Sequence, residues 1–238
     1  MDAVSRLQEY VEQSGKIVFF GGAGVSTESG IPDFRSADGL YNQKYKYPPE
    51  RILSHSFFVS HPEVFYDFYR ERILHLSVAP NPAHYKLAEL EKAGKLTAVI
   101  TQNIDGLHQK AGSVNVLELH GSVWRHYCVA CRKSHSITAL TESTGVPRCD
   151  CGGLIRPDVV LYEETLDPRV LMESERHISE ADLLIVGGTS LAVYPAAGLL
   201  YHYKGAIVII NKGDTPQDHR ASLIIRESIG ATLEKIRV

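Results

Sequence analysis

All four cysteines of the chain fall in one segment, as Cys128-Val-Ala-Cys131 and Cys149-Asp-Cys151. Two short thiol pairs joined across a loop can converge on one tetrahedral Zn²⁺, which takes four thiolates at about 2.3 Å. The second pair is Cys-x-Cys rather than Cys-x-x-Cys, a tighter turn with the same ligand count. Two disulfides, or four unengaged thiols, are the alternatives. Four thiolates leave no open coordination position, so such a metal holds a fold and does no chemistry. Catalysis has to come from other residues.

The second chemical candidate is Gly22-Ala-Gly24, which follows the apolar run Lys16–Phe20. A Gly-x-Gly turn after a strand suggests backbone amides cradling a pyrophosphate at a helix N-terminus. It is not the hydride-transfer fingerprint G-x-G-x-x-G, because Thr27 stands at the third glycine position. No acidic residue closes a second strand about 20 residues later, and the nucleoside triphosphate loop G-x-x-x-x-G-K-[ST] is absent. A plain dehydrogenase is therefore disfavoured.

The longer block Gly22-Ala-Gly-Val-Ser-Thr-Glu-Ser-Gly-Ile-Pro-Asp-Phe-Arg35 resembles, nearly residue for residue, the defining motif of the sirtuins. The resemblance continues in the family's order through Thr101-Gln-Asn-Ile-Asp-Gly-Leu-His108, Leu119-His-Gly121, the four cysteines, Gly188-Thr-Ser190 and Val193-Tyr-Pro-Ala196, across about residues 17–212. It implies an NAD-dependent protein lysine deacetylase with two cofactors, NAD as co-substrate and one structural zinc. The acyl group passes to ADP-ribose, and nicotinamide and 2′-O-acetyl-ADP-ribose are released. A mono-ADP-ribosyltransferase is the alternative within the family.

By the same resemblance His120 takes the catalytic-base position, for which an imidazole of pKa about 6.5 is suited. Asn103 positions the ribose and a water, Gln102 binds ribose, and Asp105 with Ile104 receives the nicotinamide ring. Ala23 and Thr27 fall at the pyrophosphate loop, with Asp33 anchoring that loop, Phe34 screening C1′ and Arg35 pairing with phosphate. Thr189, Ser190, Asn211 and Ile229 fall on the adenosine side. Val160 and Tyr162 would line the acyl-lysine tunnel beside a peptide bound as an added strand.

Three departures bear on specificity. Tyr162-Glu163-Glu164 stands where the family has aromatic-Gly-Glu, which points to a preference for basic flanking residues. Gly21 replaces a usual Thr. Family members that favour acidic acyl groups carry Tyr-x-x-Arg, whereas here Tyr66 is followed at that spacing by Tyr69, with Arg70 one residue, about 100° of helix, out of register.

These residues need a scaffold, and the hydrophobic pattern supplies one. Val4, Leu7 and Val11 mark an amphipathic helix; residues 61–75 and 82–93 carry further helical patterns, the second opened by Asn81-Pro82 and stopped by Gly94. Leu96–Thr101, Val116–Leu119, Asp182–Val186 and Ala206–Ile210 are apolar runs suited to buried parallel strands, each followed by polar or glycine residues. The expected fold is α/β: a Rossmann-like doubly wound parallel sheet with a small inserted zinc-ribbon lobe, and ligands at the carboxyl ends of the strands. The resemblance implies a single catalytic domain over residues 1–238, with the NAD-binding lobe at about 1–121 and 156–238. The zinc lobe covers about 122–155, with helices from 36–80 beside it.

Composition narrows the class. A net charge of −3 and 44% hydrophobic residues give no basic stripe, so neither a nucleic-acid partner nor a zinc-ribbon regulator of nucleic acids finds support. No apolar run reaches the roughly 20 residues of a membrane span, and the N-terminus shows no signal pattern. The expected partners are acetylated lysine-containing proteins or peptides, with no nucleic acid and no membrane. Thiols held for a metal fit a reducing, cytoplasmic location.

Overall fold

The computed structural model describes residues 2–34, 36, 39–42 and 44–238. Its main sheet holds β1 (Ile17–Gly21), β2 (Leu96–Thr101) and β3 (Val116–Glu118). β4 (Gly121–Cys128), β5 (Ser134–His135) and β6 (Ile155–Val159) form a separate antiparallel sheet, and the chain returns to the main one with β7 (Leu183–Gly187), β8 (Ala206–Ile210) and β9 (Leu223–Ile225). The main sheet runs β3-β2-β1-β7-β8-β9, and every pairing in it is parallel. Counted within that sheet the order is 3-2-1-4-5-6, the doubly wound arrangement.

Alternation along each strand feeds two cores. Ile17 and Phe19 join Leu183, Ile185 and Val208 on one face, under α1 (Ala3–Gln13). Val18 and Phe20 join Leu184, Val186 and Ile209 on the other. With both faces covered, the strands carry apolar residues at nearly every position.

Helices α2 (Pro49–Ile52), α3 (His55–Ser60) and α4 (Pro62–Phe68) come before α5 (Pro82–Lys92). The pattern over 61–75 suggests one helix, but α4 gives way to a π-helical turn over Tyr69–Ile73. Phe65, Tyr66 and Tyr69 from this stretch, with Phe58 of α3, pack with Val123, Leu140 and Ile155 into the core of the small sheet. α5 starts as its sequence suggests: Asn81 caps it, with its side chain accepting from the Ala83 N–H. The remaining helices are α6 (Leu107–Ala111), α7 (Thr138–Thr141), α8 (Pro168–Ser179) and α9 (Ile229–Leu233). Among the described residues, no helix is long and apolar enough to cross a membrane.

Candidate active site and family

β1 and β7 are the neighbours at which the strand order reverses, and the crevice at their carboxyl ends is where such sheets bind ligands. A cavity of about 630 Å³ opens there. It is lined by Ala23, Thr27, Asp33 and Phe34 after β1; by Gln102, Asn103, Ile104 and Asp105 after β2; and by His120 after β3. Thr189 and Ser190 after β7, Asn211 after β8, Ile229 from α9, and Val160 and Tyr162 from the turn after β6 complete the wall. Every candidate ligand-site residue that the structure describes thus lies on one cavity; Arg35 falls outside the described residues.

The glycine loop differs from expectation in one respect. No α-helix follows β1; the chain makes two 3-10 turns, Ala23–Val25 and Thr27–Ser29. The reason is a close backbone crossing. Gly24 N–H donates to Gly188 O at 2.8 Å, and a Cβ on Gly24 would sit 2.8 Å from Gly188 Cα, so both loops need glycine. The Thr27 hydroxyl closes the turn on Gly24 O at 2.9 Å. Asn81 ties the loop to α5 by donating to Val25 O at 2.7 Å and to the Ser29 hydroxyl at 3.0 Å. Gly21 has a local cause, since a Cβ there would meet the Phe19 ring at 2.6 Å.

On the opposite wall the half-buried His120 is fixed by its backbone neighbour. Its Nδ1 lies 2.9 Å from Gln102 O. A carbonyl only accepts, so Nδ1 carries the proton and Nε2 keeps its lone pair. Burial pushes the imidazole below its ordinary pKa, opposed in part by that carbonyl. The Gln102 side chain crosses to the Thr189 hydroxyl at 3.0 Å, joining the loops after β2 and β7.

A residue absent from the sequence-based candidates sits at the centre. Ser26 is buried; it accepts from Asn103 Nδ2 at 3.1 Å and donates to Asp105 Oδ2 at 2.7 Å. Asp105 Oδ1 in turn accepts the Leu107 N–H at 2.9 Å and opens α6. The only signal for Ser26 was its place inside the Gly22–Arg35 block, where a serine also reads as an ordinary turn residue.

A family model described as the Sir2 family matches residues 22–195. The chain belongs to the Sir2 family. An NAD-dependent protein deacetylase of Clostridium acetobutylicum is 56% identical over 241 residues, covering 99% of this chain and 98% of its own length. One from Staphylococcus aureus N315 is 44% identical, over 97% of this chain and 96% of its own. A solved complex of Sir2 with a p53 peptide and NAD⁺ matches with a TM-score of 0.88 at 43% identity, covering 99% of this chain and 97% of that one. A Sir2 variant with deacetylated p53 peptide and 3′-O-acetyl-ADP-ribose matches at 0.91 and 43%, covering 98% and 96%.

In this Sir2 chain the cysteines meet at the edge of the small sheet. The Sγ atoms of Cys128 and Cys151 are 3.5 Å apart and those of Cys131 and Cys149 3.7 Å, with all four within 4.8 Å of one another. All four are free thiols, which removes the disulfide alternative. A tetrahedron of 2.3 Å Zn–S bonds has edges of about 3.8 Å, so the four sulfurs fit one zinc. The Cys131 N–H facing Cys128 holds that thiol down to about 6, toward the thiolate a metal takes, while the neighbouring thiols push Cys131 up to about 11. His135 Nε2 lies 3.3 Å from Cys149 Sγ, behind the ligand.

The departure at Glu163 also has a resolved setting. Its φ is +75°, the left-handed backbone that favours glycine, and its carboxylate accepts from the Ser56 N–H at 2.9 Å and the Ser56 hydroxyl at 3.0 Å. The carboxylate is engaged by the protein itself, which weakens the expected preference for basic flanking residues.

Proposed function

We propose that the cavity is the active site of an NAD-dependent protein lysine deacetylase, with His120 as its general base. The observation that carries this is the hydrogen bond from His120 Nδ1 to Gln102 O, which leaves a basic Nε2 on the cavity wall. NAD⁺ supplies the ribose that accepts the acetyl group and the nicotinamide that leaves. With its pKa held down by burial, His120 is neutral near pH 7 and able to take a proton from a ribose hydroxyl. The Asn103–Ser26–Asp105 chain keeps the amide of Asn103 in place, so no reorganisation is needed as charge develops.

Phe34 packs near Tyr41 with ring centroids 5.4 Å apart and shields the cavity on the nicotinamide side. Thr189, Ser190, Asn211 and Ile229 serve the adenosine end, and Val160 and Tyr162 border the acetyl-lysine. The four cysteines hold one structural zinc, remote in role from the reaction. The acetylated partner is a protein or peptide lying between the two lobes. Free thiols fit a reducing, cytoplasmic setting.

The test is mass spectrometry of purified protein incubated with NAD⁺ and an acetyl-lysine peptide. Deacetylated peptide, nicotinamide and O-acetyl-ADP-ribose in equal amounts are expected. ADP-ribose attached to protein, with the acetyl group untouched, would instead make the chain a mono-ADP-ribosyltransferase.

A further inference from the structure

The turn after β6 forms one wall of the cavity and is stitched down on its outer side. Tyr162 N–H donates to Leu53 O and His55 N–H donates to Tyr162 O, both at 3.0 Å, making a parallel bridge at Ser54. Glu164 secures the inner flank, where its carboxylate accepts from the buried Arg156 at 2.6 and 2.9 Å and from the Leu161 N–H at 2.9 Å. Between them Glu163 adopts an unfavourable left-handed φ of +75° and turns its carboxylate onto Ser56 at the start of α3.

A strained residue persists only where surrounding contacts hold it. Here the contact joins two parts of the site. α3 carries Phe57, which packs in the same cluster as Phe34 of the nicotinamide side. The turn held by Glu163 presents Val160 and Tyr162 to the cavity.

We propose that Glu163 is a positioning residue: its carboxylate clips the substrate-facing turn to α3, pre-forming the edge that receives the acetyl-lysine peptide. The proposal rests on the deacetylase reading, in which Val160 and Tyr162 border the substrate. Pre-forming a binding edge acts on affinity and leaves the chemical step alone. The clip is made by acceptor oxygens, so glutamine, which keeps one, should largely preserve it.

The test measures steady-state deacetylation by wild type, Glu163→Gln, Glu163→Ala and Glu163→Gly at varied peptide and at varied NAD⁺. Peptide KM should rise about tenfold in the alanine and glycine variants, the scale of losing the two hydrogen bonds from Ser56. kcat and the KM for NAD⁺ should stay within about twofold, and Glu163→Gln should resemble wild type. Glycine suits the left-handed φ, so a KM defect shared by glycine and alanine assigns the effect to the carboxylate and not to the backbone.

Two outcomes overturn the proposal. One is an unchanged peptide KM in Glu163→Ala. The other is a defect equally large in Glu163→Gln that appears only with Lys- or Arg-flanked peptides and vanishes in salt, which would make the residue a charge that reads the substrate. Wild type failing to deacetylate any peptide would instead refute the deacetylase reading itself.

Discussion

The two sheets of this protein are held by different means. In the main sheet Ile17, Val18, Phe19 and Phe20 are fully buried, as are Leu183 to Val186, and each such side chain contributes about 1.5–3 kcal/mol on burial. The small sheet has three strands, one only two residues long, and its core includes two of the cysteines. Polar groups are buried there as well: among the described residues neither ring nitrogen of His126 has a hydrogen-bond partner. A wide apolar sheet stands on burial alone, whereas a small one of this kind depends on its metal. The cavity lies where the two meet, so catalysis depends on both.

Removing the metal should do the most damage. Cys128→Ser, or a strong chelator, should unfold the small sheet and reduce deacetylation to background, since zinc-binding energy is folding energy in such sites. Hydrogen exchange should show the amides of β4 and β6 losing protection while those of β1 and β7 keep it, and elemental analysis should find one zinc per untreated chain. Loss of protection in both sheets together would erase the contrast.

A second, smaller effect concerns the ion pair beside the cavity. Glu164→Ala leaves the guanidinium of Arg156, only 8% exposed, without its carboxylate, which should cost about 3 kcal/mol in chemical denaturation. The sign with pH follows from the carboxyl. Its pKa is held down to about 2 from 4.5, by Arg156, the Leu161 N–H and His55 against the opposing effect of burial. Its contribution is therefore complete above the unfolded value and disappears as pH falls toward 2. Wild type should lose its advantage over Glu164→Ala across that interval, and a constant difference would contradict the assignment.

Acyl preference turns on α4 and the π-helical turn after it, which pack against the small sheet. Tyr66 donates its hydroxyl to Ile155 O, and Arg70 bonds Leu140 O and Ser143 in the small lobe. Neither lines the cavity; Tyr69 and Arg72 do, and Arg72 is paired with Glu71 at 2.9 Å and stacked over Tyr45. Among the described residues Arg72 is the guanidinium that lines the cavity, and with Glu71 already paired to it an acidic acyl chain gains little there, so kcat/KM should favour acetyl- over succinyl-lysine by about tenfold or more. Equal values in one peptide sequence would show that Arg72 leaves its partner to serve the substrate.

The smallest effect is a displacement on the pH axis. Because burial lowers the pKa of His120, the acid limb of kcat/KM should fall below about 6.5, the ordinary histidine value. A limb at or above that value would mean that water reaches the imidazole more freely than its surroundings suggest.

Legibility followed the same division. Leu96–Thr101 and Ala206–Ile210 are strands with the bounds their apolar runs suggest. Asp182 stays outside β7 because its carboxylate accepts the N–H groups of Gly15 and Lys16. The edge strand Leu223–Ile225 is three residues long, too short to carry a period. The strands of the small sheet gave no reading beyond their cysteines, because ligand spacing rather than alternation organises them. The π-helical turn at Tyr69–Ile73 widens the helix without altering its apolar pattern, so the run 61–75 concealed it. At the site, motif blocks identified the wall residues, while the placement of Ser26 between Asn103 and Asp105 depends on loops 77 and 79 residues apart in sequence.

If His120 Nε2 is the base of an NAD-dependent deacetylation, the His120→Ala variant must lose the reaction and keep the cofactor. Product analysis of the variant beside wild type should show deacetylated peptide and O-acetyl-ADP-ribose falling by about 10²–10⁴-fold, while calorimetry finds NAD⁺ binding largely intact. Deacetylation at near wild-type rates in His120→Ala would contradict it.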